Sequence, residues 1–123
     1  MTEAPAWPPT PPLTAILRGL ESERASTVGK ILFDAGFCAL EVPLNRPGAL
    51  AGIETLARIA PPHALVGAGT VTEPAQVDAV AEAGANGFGI GSALFSPGIA
   101  LEELARRARA LVEAWQHANH RIH

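Results

Sequence analysis

The strongest constraint on the fold is a repeated alternation: four times, a short apolar run precedes a stretch whose apolar residues recur at helical spacing. The runs are "LTAIL" (residues 13–17), "CALEV" (38–42), "ALVGA" (64–68) and "GFGI" (87–90). Each is short and mostly apolar on both faces, which is the pattern of a strand in a covered parallel sheet. The stretches that follow them are "ESERASTVGKILFDAG" (21–36), "PGALAGIETLARIA" (47–60), "EPAQVDAVAEAG" (73–84) and "LEELARRARALVEAWQH" (101–117). Strand then helix, four times over, predicts a parallel sheet covered by helices. Such a sheet is either an open doubly wound layer or an arc of a barrel, and in both the functional loops lie beyond the carboxyl ends of the strands.

Local signals sharpen these elements. In the first helix Val28, Ile31, Leu32 and Ala35 are expected on one face, with Gly36 as the stop. Pro47 stands at a first-turn position of the second helix, where Leu50, Ile53, Leu56 and Ala57 recur at helical spacing. Thr72 is expected to cap the third helix, which Pro74 helps to begin. Residues 3–12 hold five prolines, so residues 1–12 read as an extended or disordered arm. The chain thus divides into that arm, one α/β domain over 13–118 and a frayed tail over 119–123; its 123 residues leave little room for a second core.

Several function classes are disfavoured at once. A formal net charge of −3 offers no basic face for nucleic acid, and Arg106, Arg107 and Arg109 read as the solvated side of the last helix. No uninterrupted apolar stretch reaches membrane-spanning length, and the start lacks the charged beginning and apolar core of a signal peptide. The one cysteine, Cys38, excludes an internal disulfide, reads as a buried apolar thiol and suits a reducing cytoplasm. The histidines form no expected metal site: His63 sits in a Pro-Pro-His turn, and His117, His120 and His123 lie in or near the tail. Neither a metal nor a cofactor is expected.

The strand ends gather the residues that carry chemistry. Arg18 follows the first strand, Glu41 lies in the second with Asn45 and Arg46 beyond it, and Gly67, Gly69 and Thr70 end the third. Gly91 and Ser92 end the fourth. A carboxylate inside "ALEVPL" is costly to bury alone, so Glu41 either pairs with a cation such as Arg18 or acts as a general acid/base in apolar surroundings. The third and fourth strand ends echo each other: Gly67 and Gly89, Gly69 and Gly91, and Thr70 and Ser92 are each 22 positions apart. Glycines let a ligand approach backbone amides, and a hydroxyl adds a neutral donor, so two such loops side by side can hold an anion. A tight turn alone also explains a glycine after a buried strand.

With "AILRG", "ALEVPLNRP", "LVGAGTV" and "GIGSALFSPG" on the page, the chain resembles the 2-dehydro-3-deoxy-phosphogluconate/phosphogalactonate aldolases over about residues 13–117. These are (β/α)8-barrel class I aldolases that split a phosphorylated sugar acid into pyruvate and glyceraldehyde 3-phosphate. Asn45 stands where the phosphogluconate branch usually has arginine, so the similarity leans to the phosphogalactonate branch. The resemblance implies that Arg18 binds the substrate carboxylate or a nearby oxygen and that Glu41 gives and takes the proton during Schiff-base chemistry. It implies a substrate contact for Thr70 and part of the phosphate loop for Gly91 and Ser92.

The chain departs from the family in the middle. The family places four further strand-helix units between the third strand and the phosphate loop, including the strand with the Schiff-base lysine in a "K-x-F-P" context. Here "TEPAQVDAVAEAGANGFGIGS" runs directly from one to the other, and a complete barrel takes about 250 residues. The expected fold is therefore a partial TIM barrel, four βα units forming a parallel half-barrel sheet with outer helices. Lys30 is the only lysine in the sequence and is expected to face solvent, so the iminium that a class I aldolase needs has no amine within these residues.

Two other activities compete with cleavage: non-catalytic binding of phosphorylated sugar acids, and a Glu41-dependent proton transfer of isomerase type. The expected ligands are a phosphorylated 2-keto-3-deoxy sugar acid or pyruvate. Four units leave open edges and an uncovered inner face, so a homodimer that completes an eight-stranded barrel is expected.

Overall fold

The four apolar runs form one parallel sheet in the computed structural model, which describes residues 11–122. Strand β1 is Ala15–Ile16, β2 Ala39–Pro43, β3 Leu65–Gly69 and β4 Gly87–Phe88, and they lie side by side in chain order. The register pairs Ile16 with Glu41, Glu41 with Gly67, and Gly67 with Gly87. Four parallel strands in sequence order, each crossed back by a helix, are an arc of a TIM-like barrel: of the two forms that the strand-helix pattern allows, this is the one that the resemblance implies.

Helix α1 spans Ala25–Ala35, α2 Ala49–Ile59, α3 Pro74–Glu82 and α4 Leu101–Ile122. Helix α1 ends on Gly36, whose φ of 110° lets its N–H reach the carbonyls of Leu32 and Phe33. The start of α3 differs in detail from the expectation. Thr72 lies one residue ahead of the cap, and Gln76 reaches back instead, its Oε1 accepting from the Thr72 N–H at 2.6 Å and the Glu73 N–H at 3.3 Å. Helix α4 continues past His117 to Ile122, and Ala118 is buried.

The core lies between the helices and one face of the sheet. Leu40, Val42, Val66 and Ala68 project toward Ile53 and Leu56 of α2, Val77 and Val80 of α3, and Leu111 of α4. Phe88 adds an edge contact to Trp115 of α4, ring centroids 5.4 Å apart.

The buried face of α1 is rotated from the expected stripe. Ala25 and Gly29 are buried, Leu32 and Phe33 pack on the core, and Ile31 is 62% exposed. Gly29 sets this orientation: a methyl there would stand 2.5 Å from Leu56 Cδ2, so the missing side chain is what lets α1 close on α2.

Among the described residues, nothing covers the opposite face of the sheet. A hollow of about 470 Å³ is lined by residues such as Thr14, Ala39, Glu41, Leu65, Gly67 and Gly87, and no helix residue borders it. Ile16, beside Glu41 in the register, is 59% exposed. Cys38, at the entrance to β2, is buried. On the outer side Arg106 and Arg107 both bind Glu103 on α4 and hold its carboxyl down at about 2. Among the described residues no helix is long and apolar enough to cross a membrane.

Candidate functional site

Side chains alternate across a strand, and that alternation decides where Glu41 points. Its neighbours Leu40 and Val42 enter the helix-covered core, so Glu41 projects from the open face of the sheet. It is half-buried there, and among the described residues neither a hydrogen bond nor an ion pair to its carboxylate is found. A structural ion pair with Arg18, one of the two sequence readings, is not formed.

The carboxylate sits between two glycines. A methyl on Gly69 would lie 2.6 Å from Oε2 and 3.0 Å from Oε1, and one on Gly89 would lie 3.0 Å from Oε1. Beyond them a cavity of about 270 Å³ opens at the carboxyl ends of β2, β3 and β4, where Glu41, Thr70, Gly91 and Ser92 share the lining. The structure thus brings together four of the five residues to which the resemblance assigns a role.

Backbone contacts fix the cavity wall. The Leu44 N–H donates to the Gly69 carbonyl at 2.9 Å, the Gly89 N–H to the Ala68 carbonyl at 2.6 Å, and the Val71 N–H to the Gly89 carbonyl at 3.4 Å. Gly91 opens a turn in which its carbonyl accepts from Leu94 and Phe95, at 2.9 and 3.0 Å. Between these anchors Thr70 adopts φ of 57°, the one positive φ of a non-glycine among the described residues. A β-branched residue in the left-handed region is strained, and such strain collects where a loop is held for a purpose.

Arg18 is placed elsewhere. It is exposed in the turn after β1, beside Gly19 with φ of 80°, and it does not line the cavity. The Arg46 guanidinium ties that turn down, Nη1 donating to the Gly19 carbonyl at 2.9 Å. Asn45 is exposed and also lies outside the lining. Lys30 is on the outer side of α1 with its side chain 76% exposed, as the sequence predicts, and it pairs with Asp34 at 3.1 Å.

Sequence reasoning missed the part played by Gly69 and Gly89. The echo presents them as approaches to backbone amides, whereas their bare α-carbons adjoin the Glu41 carboxylate. The parity of the strands carries that signal: with Glu41 level with Gly67, every second residue along β3 faces the same side.

A family model described as KDPG and KHG aldolase matches residues 10–114. The chain is 46% identical over 84 residues to a probable 2-dehydro-3-deoxy-6-phosphogalactonate aldolase of Rhizobium meliloti strain 1021, covering 68% of this chain and 40% of that protein. It is 44% identical over 78 residues to the 2-dehydro-3-deoxy-6-phosphogalactonate aldolase of Escherichia coli K12, covering 63% of this chain and 38% of that protein. Among solved structures it is similar to the 2-keto-3-deoxy-6-phosphogluconate aldolase of Zymomonas mobilis ZM4 with 3-phosphoglycerate. There the TM-score is 0.58 at 32% identity, over 79% of this chain and 42% of that one. The chain spans about two fifths of the length of the curated relatives it matches.

Proposed function

The chain belongs to the KDPG and KHG aldolase family, and from that premise we propose that it is a shortened relative of the class I aldolase that cleaves 2-dehydro-3-deoxy-6-phosphogalactonate to pyruvate and glyceraldehyde 3-phosphate. It keeps the acid/base and anion-binding side of that site. The observation that carries the reading is the shared cavity: a half-buried Glu41, with no partner for its carboxylate among the described residues, opens onto the same space as Thr70, Gly91 and Ser92. The ligand is a phosphorylated 2-keto-3-deoxy sugar acid or pyruvate, with its phosphate toward Gly91 and Ser92 and its keto acid end toward Glu41 and Thr70. Arg18, exposed at the rim, meets the carboxylate only if its turn moves inward.

Carbon–carbon cleavage by this family's route needs an amine near the carbonyl carbon. Lys30 lies on the far side of α1, bound to Asp34, so these residues do not form the iminium by themselves. What the retained half performs is binding, and proton transfer at the carbon beside the carbonyl. Glu41 takes a proton from the methyl of pyruvate, the C–H electron pair moves into an enolate with its charge on the ketone oxygen, and a hydroxyl of Thr70 or Ser92 donates to that oxygen. Return of a deuteron from Glu41 in heavy water gives labelled pyruvate.

The test is a set of three measurements on the intact chain. Titration with the phosphorylated sugar acid is expected to show saturable binding, weakened by Ser92→Ala. Pyruvate in heavy water is expected to gain deuterium at a rate abolished by Glu41→Gln. Borohydride with pyruvate is expected to leave the protein mass unchanged; an adduct on Lys30, lost in Lys30→Arg, would overturn the non-covalent reading.

The reading includes a second copy of the chain. Among the described residues the outer edges of β1 and β4 carry no partner strand in the sheet, and the open face is rich in small and apolar groups. Two four-stranded arcs related by a two-fold axis along the barrel place β4 of each copy beside β1 of the other, all parallel, and close eight strands.

A further inference from the structure

We propose that Gly69 and Gly89 are positioning residues whose bare α-carbons form a slot that holds the Glu41 carboxylate in place. This deepens the reading of Glu41 as the acid/base and rests on it. The four glycines of the two strand ends have different physical reasons to be glycine. Neither Gly69 nor Gly89 has a positive φ, so the backbone does not demand glycine at either position. What demands it is space. A methyl on Gly69 would meet Glu41 Oε2 at 2.6 Å, Cδ at 2.7 Å and Oε1 at 3.0 Å. At Gly89 the nearest atom is again Glu41 Oε1, at 3.0 Å, followed by the Ala68 carbonyl at 3.6 Å and Gly69 Cα at 3.7 Å. Gly67, by contrast, meets the backbone of Gly87, and Gly91 has nothing within 4 Å.

The atoms that crowd Gly69 and Gly89 therefore belong to the far end of one flexible side chain. A methyl group introduced there pushes the carboxylate aside and leaves the sheet standing. The slot also explains how an acid/base is held with no hydrogen bond to its carboxylate among the described residues. The two α-carbons close off the β3 and β4 side of the carboxylate, which stays open toward the cavity with Thr70 and Ser92 and toward the hollow of the open face. Orientation of this kind matters because a displacement of about 1 Å at a reacting group costs roughly 100-fold in rate.

The experiment follows the Glu41 carboxyl carbon by NMR in protein labelled at glutamate, its resonance assigned by loss in Glu41→Gln. In Gly69→Ala the resonance and its pH titration are expected to move, with a smaller displacement in Gly89→Ala. Gly52→Ala, where the new methyl meets only Leu20 Cδ2 at an ordinary 3.6 Å, is expected to leave both where they are. Should Gly69→Ala fail to fold, the milder Gly89→Ala decides. Deuterium exchange into pyruvate is expected to drop by about 100-fold in Gly69→Ala. A Glu41 signal that titrates identically in the wild type and in folded Gly69→Ala and Gly89→Ala overturns the slot. A moved resonance in a protein whose wild type exchanges no deuterium keeps the slot and overturns the proton-transfer reading instead.

Discussion

Gly67 and Gly87 face each other across β3 and β4 so closely that a methyl group on Gly67 would lie 2.8 Å from the Gly87 carbonyl oxygen and 3.1 Å from its carbonyl carbon. Backbone has no rotamer with which to escape. The β4 side is also pinned by Asn86, whose N–H donates to the Val66 carbonyl at 2.8 Å while its Oδ1 accepts from the Val66 N–H at 2.8 Å. Gly67→Ala is therefore expected to destabilise the fold by about 1–3 kcal/mol, the usual cost of overpacking. Urea unfolding checks it, and an unchanged midpoint would show that β4 moves freely.

Gly52 supplies the opposite case. It lies inside α2 without a positive φ, and a methyl there makes only an ordinary contact with Leu20. Gly52→Ala is expected to stabilise the protein by about 0.4–1 kcal/mol, chiefly by restricting the unfolded chain. Thermal melting of the variant beside wild type decides the sign.

Thr70 tests whether strain is held at the cavity. With φ of 57° its β-branched side chain is in the wrong backbone region, at a cost of about 1–3 kcal/mol. Glycine removes that strain but adds unfolded-state freedom worth about 0.5–1 kcal/mol, so Thr70→Gly is expected to gain about 1 kcal/mol. The same variant loses the hydroxyl, and binding of the phosphorylated sugar acid is expected to weaken. A variant less stable than wild type would show that the threonine side chain supports the loop more than its backbone strains it.

The Glu103 carboxyl, held down at about 2 by hydrogen bonds from Arg106 and then Arg107, predicts an acid limb of stability. The folded value lies below the ordinary 4.5. Its contribution is therefore fully present above that ordinary value and is lost as pH falls through about 2. Glu103→Gln is expected to lower the melting temperature slightly at neutral pH, with the difference from wild type shrinking below about 4.5 and gone near 2. All three side chains are on the surface, so added salt is expected to narrow the difference as well. Melting curves at several pH values check both trends.

The sequence makes the elements legible because strand and helix periods are local properties. The α3 residues Val77, Val80 and Ala81 are buried as a helix requires, and β2 and β3 are offset from the expected runs by only one residue. The gathering of Glu41, Thr70, Gly91 and Ser92 was also legible, since in a parallel sheet every strand ends at the same rim. Arg18 was not, because the direction of its turn depends on Gly19 and on Arg46, which reaches it across 27 positions of sequence. The rotation of α1 depends on a residue with no side chain, Gly29, and an apolar count cannot see an absence.

Ile16 decides whether the open face belongs to a second copy. It lies on β1, an edge strand, level with Glu41, and is 59% exposed although it is a β-branched apolar residue well suited to burial in a barrel. Lysine is the residue that natural edge strands use to prevent pairing. In a lone half-barrel Ile16→Lys is a surface change, expected to shift stability by no more than about 0.5 kcal/mol. In a dimer it places a charge where β1 of one copy meets β4 of the other. Sedimentation at micromolar concentration is therefore expected to give twice the 12.7 kDa chain mass for wild type and the single mass for Ile16→Lys. The variant should remain folded by circular dichroism. A wild-type chain that sediments as a folded monomer removes the two-copy barrel and leaves the cavity at Glu41 open to solvent on its inner side.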